Sequence, residues 1–136
     1  LVKGIHEAQT LFPALFTFLG VDAVWLGLVA PAFYRSQIGH LMAETVNFPA
    51  AGFFYLLFVG GMVFFVVVPG VSGGETRNVI LRGALFGLVT YGTYDLTNLA
   101  TLRDWPVLLT VVDLAWGTTL SAIVSALSVR AARKIL

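Results

Sequence analysis

Residues 107–129 read VLLTVVDLAWGTTLSAIVSALSV, a run whose single charge is Asp113. About 20 mostly apolar residues cross the hydrocarbon core of a bilayer as a helix. The run does not alternate, as the roughly ten-residue segments of a barrel wall do, so it predicts a spanning helix with an acid inside it. Three comparable runs precede it. The first covers about Leu11 to Ala32 and is interrupted by Asp22; the second, about Ala50 to Val68, is uncharged and rich in Phe and Val. The third, about Val79 to Leu102, has Arg82 near its start and Asp95 in its second half. Pro69-Gly70, the loop Ser72 to Arg77, and the tight turn Arg103-Asp104-Trp105-Pro106 separate the later runs; proline is tolerated where a helix begins, because that N–H has no partner. The expected fold is all-α: a polytopic membrane protein, a bundle of four transmembrane helices at about 9–34, 49–69, 78–102 and 106–132. Together they form one integral-membrane domain over 1–136.

Composition agrees. The 136 residues are 58% hydrophobic and 11% charged, with a mean hydropathy of +0.91, whereas soluble domains carry about 25% charge. So few polar groups cannot cover a water-facing surface, and four spans leave no room for a soluble domain. The first run is too long, and too unlike a small-residue cleavage site, for a removable signal peptide. A net charge of +1 offers no basic surface for nucleic acid. The lack of cysteine excludes disulfides, thiolate zinc sites and a thiol nucleophile.

If four helices alternate, Lys3, Arg77, Arg82, Arg130, Arg133 and Lys134 share one side and only Arg35 and Arg103 the other. Cytoplasmic loops carry the excess of Lys and Arg, so both termini are expected in the cytoplasm. The longest connection, Tyr34 to Phe48, then lies outside. His40 and Glu44, four apart with Ile38 and Leu41 nearby, are compatible with a short interfacial helix; the pair reads as solvated rather than metal-binding, and no metal site is expected.

Asp22, Asp95 and Asp113 carry the most information. A carboxylate at mid-bilayer costs roughly 2.5–3.5 kcal/mol on insertion scales, so such residues usually face a bundle interior and have a role there. Asp95 and Asp113 are equidistant in sequence from Asp104, which at about 1.5 Å per residue puts both roughly 13 Å below that turn. Asp22 reaches a similar depth if its helix ends near Ala30-Pro31. Asp113, Gly117, Ser121 and Ser125 form one stripe; Gly83, Gly87, Tyr91, Asp95 and Asn98 share another face, and Gly83 and Gly87 make a GxxxG pair that lets backbones approach. Asp22-Ala23-Val24-Trp25 echoes Asp113-Leu114-Ala115-Trp116, which fits chance as well as a duplicated helix pair. No basic residue is expected at the acids' depth. Protons, hydrogen bonds or a bound cation must neutralise them, and at least one should be protonated near neutral pH. Interhelical glue, bonded to Trp25, Trp116, Tyr94 and Asn98, is the plainer alternative, but such bonds average only about 0.6 kcal/mol.

Tyr94 to Leu102, Trp105-Pro106, Asp113 to Gly117, and Asp22 to Gly27 with Phe33-Tyr34 downstream together resemble the bacterial membrane proteins grouped as domain of unknown function 2177. The resemblance covers essentially the whole chain and implies a stand-alone four-helix protein of the inner membrane, without supplying a function.

The leading functional expectation is a small binder or carrier in which protonation of Asp22, Asp95 and Asp113 is coupled to a small-molecule or lipid-like ligand. Trp25, Trp116, Tyr91, Tyr94 and Asn98 would complete the site, with apolar walls and cation–π surface. A homodimer would help to enclose a pathway. A non-catalytic subunit or assembly factor of a larger membrane complex comes second. A membrane enzyme on a lipid-like or quinone-like substrate, using paired carboxylates, comes third, for want of any nucleophile motif or cofactor fingerprint; no cofactor can be named.

Overall fold

The computed structural model describes residues 2–135, with side chains from Pro13 onward, and is helical without strands among them. Leu1, Leu136 and the side chains of Lys3 and His6 lie outside the described residues. Five helices follow in order: α1 (Val2–Leu28), α2 (Ala30–Ile38), α3 (Phe48–Val71), α4 (Thr76–Thr101) and α5 (Val107–Ile135).

The span expected over about 9–34 is two helices, bent by 62° between Leu28 and Ala30. Pro31 explains the break: it lacks the N–H that would bond the Gly27 carbonyl, its ring crowds that carbonyl, and it disfavours the α conformation at Ala30. Past α2, a 3₁₀ turn covers Gly39–Leu41 and Met42 is extended (φ −77°, ψ 135°). His40 and Glu44 are both exposed and do not share a helix, contrary to the interfacial helix expected there.

Asn47 caps α3 by accepting from the Ala50 N–H at 3.1 Å. Within α3, Val63–Val67 widens to a π-turn, with the Val68 N–H bonding the Val63 carbonyl. The turn lies just before Pro69, which has no donor for the Phe65 carbonyl; one wider turn accommodates the proline without breaking the helix. The inner face of α3 (Phe58, Val59, Met62, Val63, Val66 and Val67) packs with Ala14 and Phe18 of α1, Val79 of α4 and Leu120, Val124 and Val129 of α5 to make the core.

The helices α4 and α5 are antiparallel across the turn at Asp104, whose φ of +58° is a left-handed conformation that aspartate tolerates. A Cβ added at Gly83 would lie 2.6 Å from Ser125 Oγ and 2.8 Å from the Ser121 carbonyl; one at Gly87 would strike Gly117 and Ser121, and one at Gly117 would enter the Tyr91 ring. The small-residue faces of α4 and α5 therefore meet, backbone close to backbone. At the other end Arg133 Nη2 donates to the carbonyls of Gly70 (2.8 Å) and Gly74, tying the end of α5 to the loop before α4.

By length and apolar character, α3 and α5 each suffice to cross a membrane, and the α1–α2 pair makes a third if it counts as one span. The 26 residues of α4 extend about 39 Å, but Arg77, Arg82, Asp95 and a succession of Thr, Tyr and Asn dilute its apolar character. The fold is all-helical among the described residues, and of the four spans expected two or three meet the test of length and apolar character.

Candidate functional site

The buried stripe Ala14, Phe18 and Asp22 of α1 follows i, i+4 spacing and aims Asp22 at α5. On α5 the stripe Leu109, Asp113, Gly117, Ser121 and Ser125 faces inward. On α4, Asp95 has no exposed surface at all, while Asp22 and Asp113 are 6% and 5% exposed. The three acids converge. Asp22 and Asp113 line one cavity, and Asp95 lies within hydrogen-bond reach of Asp113 without reaching the cavity wall.

The cavity holds about 290 Å³ and is lined by both acids, Trp25, Leu26, Tyr34, Phe54, Tyr55, Thr90, Tyr91, Tyr94 and Trp116. Trp25 and Trp116 stack with ring centroids 4.6 Å apart and planes inclined by 13°. The two Asp-x-x-Trp segments thus face each other across the α1–α5 contact. Tyr34 donates to Asp113 Oδ1 and accepts from Trp25 Nε1 at 3.3 Å. Tyr55 donates to Asp22 Oδ2 at 3.2 Å. Leu26, Phe54 and Tyr94 are 44%, 49% and 55% exposed, so the wall they form opens sideways, out of the bundle.

The partners expected for the acids are therefore corrected. Trp25, Tyr94 and Asn98 donate to none of the aspartates, and the indole of Trp116 lies beside Asp22 without a well-aligned hydrogen bond to it. Tyr34 and Tyr55 fill that role instead. Neither oxygen of Asp95 meets a donor. The buried Asp95 carboxyl thus stands beside Asp113 with no donor or cation bonded to it among the described residues.

The family model of the predicted membrane proteins called domain of unknown function 2177 matches residues 8–130. The chain belongs to this family. Neither a curated protein nor a solved structure matches the chain. Membership in the family makes it a membrane protein in contact with the lipid bilayer.

Of the residues expected at the site, the cavity gathers Asp22, Trp25, Tyr91, Tyr94, Asp113 and Trp116. Asp95 stands behind Asp113. Asn98 is half-buried, off the wall, and its carbonyl accepts from the Leu102 N–H at 2.9 Å to end α4. Sequence reasoning did not place Tyr34, Tyr55, Leu26, Phe54 or Thr90 there. For Tyr34 the signal was present: Pro31, three residues earlier, breaks the helix and turns Tyr34 inward. Tyr55 was the one polar side chain between Gly52 and Gly60 of the Phe-rich run.

Proposed function

We propose that the chain is a four-span protein of the bacterial inner membrane, both termini cytoplasmic, that binds or carries a small-molecule or lipid-like ligand. Binding is coupled to protonation of Asp22, Asp95 and Asp113, with Trp25, Trp116, Tyr91 and Tyr94 as the ligand-facing walls and Asn98 at the margin. The observation that carries this reading is the cavity itself. It exposes two acids from different helices to one space, and a third, fully buried acid stands directly behind one of them. Pure glue would close that space; here tyrosines hold the acids at its edge.

Four spans are supported by the surface of α4. Its outward residues Ile80, Leu81, Leu85, Leu88, Val89 and Leu96 are large, apolar and exposed, while Gly83, Gly87 and Asp95 face α5. With its one intramembrane charge, Asp95, and its close-packing glycines turned to α5, such a helix can cross lipid beside its partner although its mean hydropathy is too low for a lone span. The orientation rests on the basic residues, which the contact of Arg133 with the α3–α4 loop gathers at one end.

The cavity does not traverse the bundle, so carriage across the bilayer calls for a second copy or a partner subunit. Exposed Phe53, Phe64 and Phe65 on α3 suit such a partner and lipid equally. The test is to purify the protein in nanodiscs, identify co-purifying lipids, small molecules and proteins by mass spectrometry, and repeat with Asp22→Asn and Asp113→Asn. A discrete ligand lost from folded variants is the expected result. Retention of the same species by both variants, with only stability changed, would leave the acids as glue.

A further inference from the structure

We propose that the ligand is an amphiphilic organic cation: a protonated amine or quaternary ammonium headgroup on a hydrocarbon tail. This rests on reading the cavity as a ligand site, and names what the site takes.

Charge comes first. The walls carry two carboxyls and no Lys, Arg or His. Arg35, next to Tyr34 in sequence, is exposed and not part of the wall. The titratable groups that face the two acids are Tyr34 from α2, Tyr55 from α3, and Tyr91, Tyr94 and Asp95 from α4. Not one is basic. An ionised carboxylate in such a place needs a positive partner, and no described residue supplies one. A ligand cation can replace a proton without changing the charge of the cluster: the carboxyl O–H breaks, the proton leaves to water, and the carboxylate pairs with the cation. An anionic or zwitterionic headgroup would instead set its phosphate or carboxylate against Asp22 and Asp113.

The aromatic walls select among cations. Trp25, Trp116, Tyr34, Tyr55, Tyr91 and Tyr94 surround the acids with ring faces and edges, the arrangement that favours ammonium groups over hydrated metal ions. A metal ion also needs several oxygen or nitrogen ligands, and among the described residues no group of three acidic or His side chains could hold one.

Size and opening decide the rest of the molecule. At about 290 Å³ the cavity is at the lower limit of small-molecule sites, roughly 300–1,000 Å³, room for a headgroup and not for a long molecule. Its exposed rim of Leu26 and Phe54 faces the hydrocarbon. A tail leaving past these side chains stays in lipid.

The experiment titrates the purified full chain, in an uncharged maltoside detergent, with dodecyltrimethylammonium, with a neutral dodecyl amide and with dodecanoate. The readout is tryptophan fluorescence in a Trp105→Phe background, in which only Trp25 and Trp116 report; Trp105 is removed because its ring packs against Tyr94 of the cavity wall. A pH indicator in weak buffer counts protons. The cation should give a saturable change with release of one proton per cation, and both controls should bind roughly tenfold or more weaker. Asp22→Asn and Asp113→Asn should weaken the cation by a similar factor; the comparison among amphiphiles needs neither of these variants and stands even if one fails to fold. Equal binding of the neutral amide or of dodecanoate would overturn the cation and leave the ligand site standing. If no amphiphile perturbs the tryptophans of protein that circular dichroism shows to be folded, the cation and the ligand site fall together.

Discussion

Tyr34 and Tyr55 do for the acids what no basic side chain among the described residues does. Each brings a hydroxyl from another helix to a buried carboxyl. Tyr34→Phe removes the donor to Asp113 and the acceptor for Trp25 in one step. It should destabilise the protein by about 0.6–1.7 kcal/mol, the range of interhelical hydrogen bonds in membranes, as measured by unfolding in bicelles or by steric trapping. Tyr55→Phe should have an effect of similar size through Asp22. The buried hydroxyls of Ser125 and Ser128 have no hydrogen-bond partner, so Ser128→Ala should be neutral or slightly stabilising in the same assay, since it removes an unpaired polar group and leaves no buried partner stranded. The three acids and both site tryptophans were legible in the sequence, because a charge inside an apolar run must have a reason and Asp-x-x-Trp occurs twice. Their partners were not. A tyrosine costs little in a membrane helix, so its presence says nothing of which acid it meets.

The helices were readable wherever length and turn residues agreed, and unreadable where proline acted in three dimensions. Pro31 is visible in the sequence, but a 62° bend that returns Tyr34 to Asp113 depends on what lies beside it. Pro31→Ala should restore the missing N–H and straighten α1 into α2. A pair of spin labels at exposed Val24 and Ser36 should then show a longer separation, and the ligand site should weaken as Tyr34 leaves it. Unchanged label distances would mean that packing, not proline, sets the bend. The α4–α5 contact was the better-predicted element, since Gly83 and Gly87 share a face with Asp95 and meet Gly117 and the serine stripe. Gly87→Leu forces a side chain into the Gly117 backbone and should cost about 1–3 kcal/mol or more, the range for overpacked cores. Leu88→Ala, on the exposed side of the same helix, should change stability little.

For the whole molecule, composition alone separated membrane from water, whereas the number of crossings depends on α4. That helix buries Asp95 and its glycines against α5 and leaves its leucines exposed, a division that averaging along the sequence cannot register. If four helices cross with both ends inside, reporter fusions after residue 136 and within the 72–75 loop should be active as cytoplasmic fusions. Those in the 42–47 connection and at Asp104 should read as external. A C-terminal reporter read as external would reverse the orientation, and agreement between the fusions at 72–75 and Asp104 would remove α4 from the span count.

If the cavity is a ligand site, the aspartate cluster exchanges protons as it fills. The most direct measurement is infrared difference spectroscopy of the purified protein at neutral pH, with its co-purified ligand and after that ligand is stripped, in the wild type and in Asp22→Asn, Asp95→Asn and Asp113→Asn. The account predicts a protonated-carboxyl band that changes when the ligand is removed and that is lost or shifted in Asp95→Asn and Asp113→Asn. Carboxyl bands that stay the same with and without ligand, in wild type and variants alike, would contradict it.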